Sequence, residues 1–156
     1  MKYLLNITML IMAGLVMFSS CKKDDDTAAK QAEIDEQIIV DYLAANNINA
    51  ERDASGVYYI ITEEGSGDQP NINSTIECYY KGYFTDGSIF DQSTQGPITY
   101  PLRNLITGWQ YGIPYMKEGG KATLFIPSAL GYGTLGSGSV PPNTVLIFEI
   151  DLIGVL

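Results

Sequence analysis

Leu105-Ile106-Thr107-Gly108-Trp109-Gln110-Tyr111-Gly112-Ile113 is the stretch around which the rest of the chain is organised, and it holds the only tryptophan. Gly108, Gly112 and the following Pro114 interrupt it. An isolated helix needs roughly 12 to 15 residues to persist in water, so this one must be held by strands on either side. Trp109 is then placed to form the floor of an apolar pocket.

Period-two segments flank it as that reading requires. From Ser74 to Phe84, Ile76, Cys78, Tyr80, Gly82 and Phe84 share one face, and Glu77, Tyr79, Lys81 and Tyr83 share the other. Val57–Thr62 reads as a strand closed by the turn-rich Glu64–Pro70. Asp86-Gly87 is a tight-hairpin pair returning the chain into Ile89-Phe90-Asp91. Pro97–Leu102 is a short extended piece. Lys121–Ile126 places Ala122, Leu124 and Ile126 on one face, and between Thr144 and Ile153 Leu146, Phe148, Ile150 and Leu152 alternate with Glu149 and Asp151. One short helix among hairpin-linked strands is an α+β fold: an antiparallel five- to six-stranded sheet curled around that helix, with an N-terminal helical extension.

The N-terminal region divides by composition. Met1–Ser20 carries Lys2, an apolar run from Ile7 through Phe18 and then Ser19-Ser20. The run is shorter than the roughly 20 residues a spanning helix needs, which marks residues 1–20 as a cleaved signal peptide. Phe18-Ser19-Ser20-Cys21 resembles a bacterial lipobox, implying that Cys21 is lipidated and that the protein is anchored in the cell envelope of a bacterium, in the periplasm or on the outer-membrane surface. Residues 21–29, with Lys22-Lys23-Asp24-Asp25-Asp26, form an acidic tether. Residues 30–50 form an N-terminal helix: Ile34, Ile38 and Tyr42 recur at helical spacing beside Ile39 and Leu43, and Asn46-Asn47 is a stop signal. Its apolar stripe over residues 30–46 has two uses, docking on its own domain or pairing in a homodimer. Residues 51–156 make the main domain.

Composition excludes several chemistries. Hydrophobic residues make up 46% and charged residues 17%, enough apolar content to bury a core. The net charge of −9 and the lack of any basic cluster argue against nucleic acid as a partner. Histidine is absent, which removes His-dependent triads and His-ligated metal sites, so neither a metal nor a cofactor is expected. Cys78, in an alternating strand with no CxxC partner, reads as a small buried hydrophobe rather than a reactive thiol. The glycine-rich loop Gly131–Val140 is not a phosphate cradle, because no Lys-Ser/Thr pair and no helix follow it.

A set of motifs then falls in order along the chain: Tyr80-Lys81-Gly82, Asp86-Gly87-Ser88-Ile89-Phe90-Asp91, Gly108-Trp109, Ile126-Pro127 followed by Gly131-Tyr132-Gly133, and Pro141-Pro142-Asn143-Thr144 leading into Leu146-Ile147-Phe148-Glu149. Together, from Val57 to Leu152, they resemble an FKBP-type peptidyl-prolyl cis-trans isomerase domain. The resemblance implies a proline pocket lined by Tyr80, Phe90, Asp91, Leu105, Ile106, Trp109, Tyr132, Val140 and Phe148, with Ile98 as a further wall. It also implies that Ile106 N–H and the Tyr132 hydroxyl hold substrate carbonyls. Asp91 is either an electrostatic and orienting partner or a structural acceptor for Tyr80 or a backbone N–H. The implied partners are proline-containing polypeptides. The implied activity is rotation about X-Pro bonds, and the alternative is a non-catalytic binding module or chaperone using the same pocket.

The chain departs from the family's pattern in three places. Ser93-Thr94-Gln95-Gly96 supplies no arginine after the Phe-Asp pair, Ile98 stands where an aromatic is frequent, and the loop from Gly136 to Pro141 is shorter than in the smallest members. The first leaves Asp91 without that restraint, and the other two alter which residue is accepted before proline.

Overall fold

The computed structural model describes residues 21–156, with side chains from Asp26 onward. The expected signal peptide lies outside the described residues. The chain divides into a short unit ending at Lys30 and a main unit, Gln31–Leu156. In order, the elements are α1 (Cys21–Ala45), β1 (Glu51–Arg52), β2 (Tyr58–Glu63), β3 (Thr75–Tyr83), β4 (Ile89–Gln92), β5 (Ile98–Pro101), α2 (Thr107–Gly112), β6 (Lys121–Ile126) and β7 (Leu146–Val155). Short 3-10 turns occupy Leu102–Asn104, Ile113–Tyr115 and Ser128–Leu130.

The strands form one antiparallel sheet in the order β1-β2-β6-β7-β3-β4, with β5 also paired to β3. β4 and β5 share one edge of β3, β4 at Lys81–Tyr83 and β5 at Thr75–Cys78. The seven strands exceed the five to six expected because β1 has only two residues, Glu51 and Arg52, opposite Tyr59 and Tyr58. Two residues leave no alternation to read.

Both faces of the sheet carry apolar residues, and each face has its own helix. On one side Ile76, Cys78, Leu124, Ile126, Leu146, Phe148, Ile150 and Leu152 pack with Trp109 and Ile113. On the other, Tyr58, Phe125, Val145 and Ile147 pack with Ile39 and Leu43 of α1. Adjacent residues thus serve different helices: Leu124 faces α2, and Phe125 faces α1. A strand buried on both faces reads as a continuous apolar run, which is how Phe125-Ile126 and Val145–Phe148 look.

Docking on its own domain is therefore where Ile39 and Leu43 of α1 go, while Ile34, Ile38 and Val40 stay exposed. The helix is already formed at Cys21, the first described residue and ahead of the periodic pattern near residue 30, where Lys22, Lys23, Ala28, Ala29 and Lys30 have high helix propensity whether or not they bury anything. It ends as the sequence suggests. Asn47 takes a left-handed φ of 54°, its N–H donates to Ala44 C=O, and Ile48 N–H reaches back to Leu43 C=O at 2.8 Å. Glu36 accepts from Arg52 Nε at 3.0 Å and from the Tyr58 hydroxyl, tying α1 to β1 and β2.

On the opposite face α2 lies close against β6. A Cβ at Gly108 would overlap the side chain of Ile126, itself fully buried, so this contact requires glycine. The turn after α2 is fixed by Tyr115 stacked on Tyr59, ring centroids 4.3 Å apart. Gly108→Ala is expected to lower unfolding free energy by about 1–3 kcal/mol through overpacking, despite alanine's better helix propensity. Urea unfolding should show a lower midpoint with an unchanged m-value.

Candidate active site

β3, β7, β4 and α2 each deliver one aromatic ring to a common space. Trp109 sits on α2 and is 4% exposed. Phe148 of β7 meets it edge-on, centroids 5.2 Å apart and planes at 89°, and Tyr80 of β3 meets it at 5.5 Å and 80°. Phe90 of β4 stands perpendicular to Phe148 at 5.4 Å. Perpendicular packing places the positive edge of one ring on the negative face of the next, so these contacts are favourable beyond their burial. Trp109 thereby offers a fixed indole surface with walls on two sides.

Gly82 makes the wall close. A Cβ there would lie 2.6 Å from Phe90 Cζ and 2.8 Å from Phe148 Cε1, so any side chain would displace both rings. Phe84 backs Phe90 at 4.9 Å. The alternation from Ser74 to Phe84 places it on the apolar face, but periodicity assigns a face and not a position along it.

The remaining expected residues lie around this box. Leu105, Ile106, Ile98 and Tyr132 are partly buried against the same cluster, and Val140 is buried within it. Gln110, one turn into α2, donates from Nε2 to the Leu105 carbonyl at 2.7 Å and to the Arg103 carbonyl at 3.2 Å. That link fixes the segment entering the helix, and Ile106 N–H, at the helix entrance, donates to no acceptor among the described residues. A polar residue inside an apolar stretch gave no sequence signal of this bracing role. Cys21 falls in the short N-terminal unit and its side chain is not described.

Asp91 is exposed and accepts from the Tyr80 hydroxyl at 2.6 Å. With no arginine nearby, Tyr80 restrains this carboxylate. Burial, followed by the hydrogen bond to Asp91 and its negative charge, pushes the Tyr80 hydroxyl well above its ordinary value of 10. Ser93 steadies the Tyr80 backbone, donating N–H to its carbonyl at 3.0 Å and accepting its N–H on Oγ at 3.0 Å. The Tyr132 hydroxyl is likewise raised, by burial and then by the charge of Asp91. Both phenols therefore remain donors through neutral pH.

The glycine-rich loop is closed upon the site. Ser137 and Val140 exchange backbone hydrogen bonds at 2.9 and 2.8 Å, Asn143 N–H donates to Gly133 C=O at 2.8 Å, and Ser139 Oγ contacts the Phe90 carbonyl at 3.4 Å. Cys78 is fully buried, and burial followed by the charge of Asp151 pushes its thiol up to about 12, so it packs as an inert hydrophobe. A depression of about 500 Å³ lined by Lys81, Lys121, Glu149 and Asp151 has its charges already paired, Lys81 with Glu149 at 2.7 Å and Lys121 with Asp151 at 3.1 Å. Of the aromatic box only Tyr80 reaches its lining.

Residues 67–153 match the family described as FKBP-type peptidyl-prolyl cis-trans isomerase. The chain is 43% identical over 103 residues to a probable FKBP-type peptidyl-prolyl cis-trans isomerase FkpA of Neisseria meningitidis, covering 64% of this chain and 38% of that protein. It is 36% identical over 141 residues to FkpA of Aeromonas hydrophila, covering 88% and 51% respectively. The chain thus spans about half or less of the length of these curated relatives. A crystal structure of a peptidyl-prolyl cis-trans isomerase from Pseudomonas syringae pv. tomato superposes with a TM-score of 0.72 at 32% identity, covering 88% of this chain and 98% of that one. With the family match covering more than half of the chain and the fold shared with the Pseudomonas structure, the chain belongs to the FKBP-type peptidyl-prolyl cis-trans isomerase family.

Proposed function

We propose that this protein accelerates cis-trans rotation about X-Pro bonds in exported polypeptides, using the box of Trp109, Tyr80, Phe90 and Phe148 as its active site. The observation that carries the proposal is the buried indole floor with two perpendicular aromatic neighbours, a flat dry surface suited to a pyrrolidine ring. Rotation faces a barrier of about 18–20 kcal/mol because it sacrifices amide resonance. No covalent bond need break.

An apolar pocket lowers that barrier by holding the twisted amide better than either planar form. Once conjugation is lost, the carbonyl oxygen carries less negative charge and is less costly to remove from water. Aromatic walls therefore favour the twisted state. Trp109 supports the ring, Phe90 and Phe148 flank it, and Ile106 N–H and the Tyr132 hydroxyl hold substrate carbonyls on either side. Asp91, through Tyr80, keeps one wall in place. Leu105, Ile98 and Val140 form the rim that meets the residue before proline.

Because every part of this mechanism is a binding contact, the same pocket also suits a proline-binding module or chaperone without turnover. A proline-limited refolding assay separates the readings. The chain lacking residues 1–20 is expected to shorten the slow phase at catalytic concentrations; a folded protein that leaves that phase unchanged defeats the isomerase reading.

We further infer that Cys21 is lipidated after removal of residues 1–20 and anchors the protein to a bacterial envelope membrane. Its support is the apolar run ending immediately before that cysteine. Among the described residues no helix is long and apolar enough to cross a membrane. Mass spectrometry of the N-terminus is expected to find an acylated cysteine, and an unmodified thiol rules the anchor out. A homodimer through residues 30–46 would have to use Ile34, Ile38 and Val40, the apolar residues α1 leaves exposed; a solution mass of twice the chain's would establish it.

Trp109→Ala should cost about 3–5 kcal/mol of stability because it empties a buried site. Tyr132→Phe should change stability by less than about 0.5 kcal/mol, as its hydroxyl has no partner among the described residues. It should nevertheless slow turnover about ten-fold, the worth of one hydrogen bond of about 1.4 kcal/mol. Equal losses of stability in the two variants would make Tyr132 a core residue.

Turnover should be flat between pH 6 and 8. The chain has no histidine, and the hydroxyls of Tyr80 and Tyr132 are raised from 10, so both stay protonated throughout that window and lose the proton only above it. A steep bell in that interval, measured by refolding rate against pH, would contradict catalysis by binding alone.

A further inference from the structure

Asp35, on α1, is 1% exposed, and no salt bridge among the described residues pairs it. A buried carboxyl group is destabilising unless its oxygens are hydrogen-bonded. Here three donors meet it. Gln31 Nε2 reaches Oδ1 at 2.8 Å, while Ser128 N–H reaches Oδ2 at 2.8 Å and Ser128 Oγ–H reaches the same oxygen at 2.6 Å. Ser128, also 1% exposed, therefore has both of its donors committed to one residue of the helical extension, 93 positions away in the chain.

The acceptor side of Ser128 is committed as well, and to the loop of the site. Its carbonyl accepts from Gly131 N–H at 3.0 Å and from Gly133 N–H at 2.8 Å. Those two glycines bracket Tyr132. The peptides on either side of Tyr132 are thus tied to the carbonyl of one residue, whose own N–H and hydroxyl are held by Asp35, while the Tyr132 carbonyl accepts from Gly136 N–H at 3.2 Å. Glycines on both sides give the segment no side chains with which to hold itself, and Gly133 has a φ of 59°. A tyrosine so mounted depends on its anchor for the position of its hydroxyl.

We propose that Asp35 is a positioning residue for the site: through Ser128 it fixes the loop that aims the Tyr132 hydroxyl at the substrate. The helix that precedes the isomerase domain in sequence is, on this account, a working part of the pocket. Its residue Asp35 lies outside the matched stretch 67–153, so a domain cut at that boundary would lack the brace. The catalytic consequence rests on the isomerase reading, whereas the mechanical link from Asp35 to Tyr132 does not.

Two measurements on the chain lacking residues 1–20 test it. The first is a double-mutant cycle on refolding catalysis. Asp35→Ala should lower kcat/KM about ten-fold in the otherwise native protein, the scale of a misplaced hydrogen-bonding group. In a Tyr132→Phe background it should lower it by less than about two-fold, because the hydroxyl it positions is already gone. Asp35→Asn, which keeps an acceptor for Ser128 N–H, should recover most of the loss. A helix that merely stabilises the fold would give equal fold-losses in both backgrounds, and that result overturns the proposal.

The second measurement is amide hydrogen exchange, which needs no activity. Asp35→Ala should speed exchange at Gly131 and Gly133 by at least about ten-fold while the central β3 amides of Cys78 and Tyr80 stay protected. Unchanged exchange at the two glycines overturns the proposal. Should Asp35→Ala not fold, Ser128→Ala removes only the hydroxyl donor and is put through the same cycle and exchange measurements with the same criteria. If the native protein itself fails to catalyse refolding, the isomerase reading falls, and exchange at Gly131 and Gly133 alone decides whether Asp35 governs the loop.

Discussion

The close approach of α2 to β6 governs everything else in the site. Gly108 has no side chain to hold the helix away from Ile126, so Trp109, the next residue, is buried against the inner face of the sheet. From there its ring is within edge-to-face distance of residues on two different strands, Tyr80 and Phe148. A helix standing farther out would leave the indole to pack on side chains of its own neighbourhood and the box would lose its floor. The same requirement explains why so short a helix suffices: six residues need no intrinsic stability when a sheet, Gln110 and the Tyr59–Tyr115 stack hold both ends.

A sheet with one helix on each face distributes its strands' residues between two tasks. Even steps along β6 and β7 build the pocket floor's support, and odd steps receive α1. The two faces share backbone, so a change that shifts β6 to suit one helix moves side chains facing the other. That sharing makes the sheet a rigid partition between an outer helix and the pocket. Asp35 is the place where the outer helix reaches past the partition's edge, to the turn that follows β6.

Much of this was legible in the residues, and what was not has a common reason. The alternation of Ile76 to Phe84 put Tyr80 on the inner face, and β6 falls at Lys121–Ile126 as the pattern indicates. Asn46-Asn47 marked the helix end because asparagine tolerates the left-handed turn that a Schellman closure requires. By contrast, β1 is too short for periodicity, and Ser93 and Asp35 act through hydrogen bonds to backbone 13 and 93 residues away. Such bonds are set by where two segments meet in space, and nothing in local spacing encodes that meeting. The motifs contain Tyr80, Phe90, Trp109 and Phe148, whose rings meet in the structure; they were silent on what braces them.

Asp91 illustrates how the same reasoning extends to a departure from the family's pattern. Without an arginine in Ser93–Gly96, its carboxylate is met by the Tyr80 hydroxyl, a neutral donor that is also one of the pocket's walls. A guanidinium would neutralise the charge; a phenol only orients it, leaving the negative potential at the pocket mouth to act on Tyr80 and Tyr132. Burial, with that charge added to it, raises both hydroxyls and keeps them neutral and donating, the state that the proposed hydrogen-bonding role requires. Ser93 then does for the Tyr80 backbone what an arginine cannot, fixing where along β3 that ring stands. The restraint on Asp91 has moved from a salt bridge into the wall itself, so the geometry of the wall and the field at the pocket mouth are set by the same residue.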